Sequence, residues 1–157
     1  MRRVEERLEQ LGLALPQPFA APPGVAFKFD LVRIHGDTAY VSGHGPVDGD
    51  RTLVSGKVDE AVPVEHAAEA ARLTGLSILA SLKRELGELD RVTRWLKALG
   101  LVNCSPGFNK MPAVVNGFSE LVLELWGDEG RHARSAIGVA ELPFDWPVEV
   151  EAIVQIE

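Results

Sequence analysis

The chain has 157 residues, 46% of them apolar and 25% charged, which suits one soluble domain with a core that needs no staples. Its formal charge of −7, with no Lys/Arg run to offset it, works against sequence-independent nucleic-acid binding. The single Cys104 rules out an internal disulfide and any multi-cysteine metal centre.

The segment "MRRVEERLEQLGLALP" lacks the clean apolar stretch and cleavage site of a secretion signal. It predicts a short amphipathic helix with Val4, Leu8 and Leu11 on one side. No apolar run reaches the roughly 18 residues needed to cross a bilayer, so no membrane role is expected and the expected location is cytoplasmic. "LPQPFAAPPG" is an extended connector, with four prolines between residues 15 and 24. Residues 1–25 thus read as helix plus connector, and 26–157 as the domain proper.

"VAFKFDLVRIHG" predicts a strand, Gly36-Asp37 a turn and "TAYVSG" the returning strand. "GHGPVDGDRT" reads as a loop. Residues 62–87 predict the clearest helix, with Val64, Ala68, Ala71, Gly75, Ile78, Leu82 and Leu86 as its apolar stripe and Gly87 as its stop. Residues 92–102 read as a strand, blurred by Leu96, Leu99 and Gly100. Residues 112–126 predict a helix with Val115, Phe118, Val122 and Leu125 inward, closed by "GDEG". Strands over 133–141 and 148–156 end the chain. The order β-β-α-β-α-β-β predicts an α+β domain, with both helices on one face of a single sheet. On the last strand Val148, Val150, Ala152, Val154 and Ile156 make an apolar row. The opposite row, Glu149, Glu151, Ile153, Gln155 and Glu157, suits a subunit interface.

Several chemistries find little support. His66 and Glu69 stand three apart on the long helix, but no H-E-x-x-H follows, so no metal is expected. "SGHGP" is neither G-x-G-x-x-G nor a P-loop, although its glycines allow main-chain N–H groups to approach a small anion. Cys104 has no His partner in sequence and no G-x-S-x-G occurs. Arg134, Glu149 and Glu151 remain. An arginine fork grips a carboxylate through two bonds, and a glutamate of raised pKa can move a proton. A simple hairpin of the last two strands would put Arg134 opposite residue 155 or so, leaving Glu149 on the order of 20 Å away. The two meet only if the last strand pairs elsewhere, or across a subunit boundary.

"VSGHGPV", "VVNGFSEL" and above all "HARSAIGVAELPFDWPVEVEAIVQI" resemble the RidA/YjgF family over roughly residues 26–157. "NGFSELVLELWGDEGRHARSA" and the longer N-terminus resemble its chorismate-mutase-like branch. The resemblance implies a subunit like that of the Bacillus-type chorismate mutase: one mixed sheet, two helices on one face, last two strands not adjacent. It implies a homotrimer with ligand clefts between subunits, a small carboxylate-bearing metabolite as partner, and no cofactor. The implied activity is hydrolysis of reactive enamines and imines such as 2-aminoacrylate to keto acids and ammonia. By resemblance Arg134 binds the carboxylate and Glu149 orients water or moves a proton. Ser42 and Asn116 line the cleft, with Gly43 beside it. Two positions depart from the family: Ala136 stands where active members often carry cysteine, and no tyrosine precedes Tyr40. A non-catalytic trimeric binder of small carboxylates is the alternative. Chorismate-mutase-type isomerisation and ribonuclease activity fit less well.

Overall fold

The computed structural model describes residues 3–157, so Met1 and Arg2 of the expected N-terminal helix lie outside the described residues. The elements are α1 (Val4–Gln10), β1 (Val32–His35), β2 (Thr38–His44), β3 (Val47–Asp48), β4 (Arg51–Thr52), α2 (Val64–Leu86), β5 (Val92–Asn103), α3 (Met111–Trp126), β6 (Ala133–Val139) and β7 (Val148–Ile156).

Five strands form one mixed sheet in the order β1-β2-β7-β5-β6. All neighbours are antiparallel except β5 and β6, which run parallel. The last two strands are therefore not a hairpin, because β5 separates them. A parallel neighbour cannot be reached by a tight turn. Instead β7 runs back between β2 and β5.

The two long helices cover one face, as the stripes predict. Val148, Val150, Ala152, Val154 and Ile156 are all buried under them in one core with Ile78, Leu82, Phe118 and Val122. On α2, Pro63 precedes the first turn, and Glu65 in that turn and Lys83 and Arg84 in the last are favoured by the helix dipole. Gly87 ends the helix at φ +89 and donates its N–H to Lys83 O. Small residues let the helices approach closely: a Cβ on Gly117 of α3 would run into the carbonyl of Ala68 on α2.

Four details differ from the sequence reading. The first strand begins only at Val32, and Phe29 upstream is 54% exposed. The Gly-rich loop carries a minimal hairpin, β3 against β4. Val4 and Leu8 of α1 are buried in the main core, but Leu11 follows the helix and is exposed. Strand β5 buries Val92, Trp95 and Ala98 at three-residue steps, because irregularities between residues 92 and 94 and between 95 and 97 shift its register against β7. Among the described residues, no helix is long and apolar enough to cross a membrane.

Gly117→Ala should cost about 1–3 kcal/mol through overpacking. Urea unfolding would read this as a lower midpoint at unchanged m.

Candidate functional site

The expected site residues fall into two groups on opposite faces of the sheet. Along β5, Ala98 is fully buried beneath the helices, and a Cβ on Gly100 would lie 2.5 Å from Val115 of α3. These even-numbered positions face the helices. Arg134 pairs with Ala98 and shares that face. Glu149 pairs with Leu101 and points to the other, helix-free face. Two strand spacings and three residues along separate their Cα atoms, roughly 14 Å by strand geometry. Within one chain the two side chains diverge.

The first group gathers where the start of β6 meets α3. Asn116 and Ser119 stand three apart on α3 and so share one side of it. Arg134 Nη1 donates to Asn116 Oδ1 at 2.8 Å and to Ser119 Oγ at 3.1 Å. Ser119 Oγ is in turn 2.9 Å from His132 Nε2, and His132 Nδ1 is 2.7 Å from Gly130 O. Burial lowers the His132 pKa; the Gly130 carbonyl opposes that and the positive Arg134 adds to it. A shallow pocket of about 200 Å³ opens here, lined by Ser119, Leu123, Arg131, His132 and Arg134. No acid lines it, in a chain with 23 acidic and 16 basic side chains. Arg134 has no carboxylate partner among the described residues, so its charge is available to an anion. Ser119 and His132 escaped the sequence reading. The signal was the Asn116/Ser119 spacing together with His132 two residues before Arg134.

The second group lies at the start of β7, against β2. Between Val41 and His44 strand β2 carries one residue more than its partner β7, a bulge. Ser42 and Gly43 occupy it. A Cβ on Gly43 would lie 2.6 Å from Glu149 Oε2, so any other residue here would displace the carboxylate from its present position. Burial raises the Glu149 pKa, and the Glu151 charge two residues on raises it further. Ser42 Oγ donates to Asp30 O at 2.7 Å, which uses its proton and leaves its lone pairs. Next to Asp30 stands the exposed ring of Phe29.

Beyond the bulge, His44 turns inward and is fully buried. Its Nδ1 is 2.6 Å from Ser42 O and its Nε2 is 2.8 Å from Ser81 Oγ on α2. A carbonyl accepts only from N–H, so Nδ1 carries the proton and Nε2 accepts the Ser81 hydroxyl. Burial drives the His44 pKa to about 4, against the pull of the Ser42 carbonyl and with a small push from Arg84.

Ala136, half-buried, packs against the main core. Two residues further along the same row, Gly138 has Cys104 Sγ 2.9 Å from where its Cβ would be. The thiol thus lies beside the end of this row and not at Ala136. On the helix-free face a pocket of about 310 Å³ is lined by Lys97, Leu99, Ser135, Glu151, Ala152 and Ile153. His66 and Glu69 are exposed on α2. Among the described residues, no three His, Cys, Asp or Glu side chains are grouped as metal ligands.

Comparison with known proteins adds to this geometry. The profile of the YjgF/chorismate-mutase-like family, described also as candidate endoribonucleases, matches residues 5–150. The protein TCP17 of Trypanosoma cruzi is 39% identical over 155 residues, covering 98% of this chain and 94% of TCP17. A solved structure from Agrobacterium tumefaciens, of unknown function, is similar at TM-score 0.86 and 38% identity, covering 98% of this chain and 91% of that one. A candidate endoribonuclease from Shewanella oneidensis superposes at TM-score 0.90 with 28% identity, covering 99% and 100%.

The buried His44 predicts acid sensitivity. Its folded pKa lies below the ordinary 6.5, so its contribution is fully present above pH 6.5 and is lost as pH falls toward 4. The full loss is about 3 kcal/mol, or roughly 6–12 °C in Tm. Thermal unfolding at pH 8, 5.5 and 4.5 should show a steeper fall for the wild type than for His44→Gln. Parallel curves would refute the assignment.

Proposed function

Because this chain belongs to the YjgF/chorismate-mutase-like family, we propose that it hydrolyses small carboxylate-bearing enamines and imines, such as 2-aminoacrylate, to keto acids and ammonia. The observation that carries the reading is the guanidinium of Arg134, which has no ion-pair partner among the described residues and lines a pocket without acids. A guanidinium held by neutral partners keeps its charge for a planar anion. The second support is Glu149, whose raised pKa suits a group that takes a proton and returns it.

The two groups point to opposite faces of one sheet, so the reading requires more than one copy of the chain. A homotrimer packing its helix-free faces together would cover Tyr40, Ile137 and Ile153 and, because β6 is an edge strand, bring Glu149 of one copy toward Arg134 at the border of the next. The expected solution mass is three times 17.0 kDa, about 51 kDa. A monomer by analytical ultracentrifugation would refute a composite site.

In that site the substrate carboxylate docks on Arg134, with Asn116 beside it. The enamine takes a proton on carbon from solvent to give the iminium. Water held by Glu149 adds to the carbon–nitrogen double bond and gives its proton to the carboxylate. Protonated Glu149 then returns its proton to the nitrogen, the carbon–nitrogen single bond breaks with ammonia leaving, and the hydroxyl gives up its proton to the regenerated carboxylate as the keto acid forms. Ser42 and Gly43 flank Glu149, where the hydroxyl lone pairs and main chain can hold the water. No cofactor is required, since positioning and charge supply the acceleration. Ala136 removes a side chain from the pocket row but no atom from this reaction, because water is the nucleophile. A non-catalytic binder would use the same anchor, and turnover separates the two. The name endoribonuclease, carried by relatives, sits less easily with a net charge of −7.

With freshly generated 2-aminoacrylate, Arg134→Ala should lower keto-acid production about 100-fold, the loss expected for a charged anchor. Unchanged turnover in that variant would sink the assignment. Glu149 as base predicts that kcat falls on the acid side, with its midpoint above the 4.5 of an ordinary glutamate. Glu151→Gln removes a neighbouring negative charge and should move that midpoint to lower pH. A profile that ignores this substitution would take Glu149 out of the proton transfer.

A further inference from the structure

A chain of hydrogen bonds ends on Arg134, and its direction is fixed from the far end. His132 Nδ1 lies 2.7 Å from the Gly130 carbonyl, which accepts but cannot donate, so the proton of the neutral ring sits there. Nε2 is therefore bare. At 2.9 Å it accepts the Ser119 hydroxyl, whose proton must point at the ring. The Ser119 oxygen is left with lone pairs only, and these receive one hydrogen of Arg134 Nη1 at 3.1 Å. The other Nη1 hydrogen goes to Asn116 Oδ1 at 2.8 Å. One ring face also meets Phe118, edge-on at 5.8 Å, which restrains the imidazole plane.

Both hydrogens of one terminal nitrogen are thus used by side chains of α3. The Nε–Nη2 edge has no partner among the described residues. That edge carries two parallel N–H bonds, the spacing that a carboxylate accepts in bidentate fashion. An arginine at a strand end is ordinarily free to turn about its long side chain. Here two acceptors on a rigid helix remove that freedom before a ligand arrives, and so reduce the ordering cost of binding.

We propose that Ser119 and His132 are positioning residues that lock the Arg134 guanidinium with its Nε–Nη2 edge outward, making the site selective for planar carboxylates. The selectivity rests on the carboxylate reading of Arg134; the lock itself does not. Without the His132 acceptor, Ser119 can rotate its hydroxyl proton toward the guanidinium, and one of the two tethers is lost. Threonine at 119 keeps the hydroxyl, whereas alanine removes it.

Two readouts keep the lock and the carboxylate reading apart. Guanidinium proton signals of Arg134 should show slowed Nη rotation in the unliganded wild type and in Ser119→Thr. They should collapse to fast rotation in Ser119→Ala and His132→Leu. Pyruvate, as the probe, should bind about tenfold more weakly to Ser119→Ala and His132→Leu, with affinity recovered in Ser119→Thr. In turnover the same variants should raise KM more than they lower kcat. Wild-type rotation and wild-type pyruvate affinity in Ser119→Ala would overturn the inference. Should Arg134→Ala bind pyruvate as the wild type does, the carboxylate reading falls and the selectivity with it, while the rotation data still judge the lock.

Discussion

The pleat of a strand sends successive side chains to opposite faces, and this structure turns on how that rule is applied to β7. The same alternation that drives Val148, Val150, Ala152, Val154 and Ile156 under the helices sends Glu149, Glu151 and Ile153 to the other side. The buried row cannot move without exposing the core, so the acidic row cannot move either. Glu149 is thereby held away from Arg134 in its own chain. The helix-free face carries the acidic row, and in the proposed composite site it is the surface to which a neighbouring copy would contribute. Packing and chemistry are set by one register.

Bulges are the exceptions to that alternation, and each falls where a side chain is re-aimed. In β2 the extra residue turns His44 inward to Ser81 and leaves Gly43 beneath the Glu149 carboxylate. In β5 the shifted register lets both Trp95 and Ala98 face the helices despite being three residues apart. The first adjustment shapes a candidate catalytic acid's surroundings and the second fills the core beside Phe118 and Trp126.

Much of this was legible in the sequence. The helices declared themselves through apolar stripes and a glycine stop, and β7 through its strict two-residue pattern. What periodicity could not reveal is where the period breaks. Leu96, Leu99 and Gly100 blurred β5 because a strand with register shifts has no single phase. Phe27 and Phe29 imitate a strand upstream of β1, yet they stack on each other at 5.0 Å outside the sheet. The minimal hairpin β3–β4 hid in a Gly-rich stretch with no alternation to read. At the site, Arg134 and Glu149 stood out by residue type. Ser119 and His132 did not, because their meaning comes from the approach of α3 to the start of β6. Asn116 and Ser119 lie 18 and 15 positions before Arg134, and the turn after α3 together with the parallel pairing of β6 on β5 closes that gap.

The placement of β7 also governs how this chain can fold. Every other strand of the sheet precedes it in sequence, yet it lies at the centre. Until it arrives, β1–β2 and β5–β6 are two ribbons, each with an open edge and neither bonded to the other. Their union requires contacts between residues more than a hundred positions apart, such as Thr38 with Gln155. Such long-range closure slows folding and leaves hydrogen-bonding edges open in the interval. The strand that carries Glu149 is thus also the one whose insertion makes the sheet a single cooperative unit.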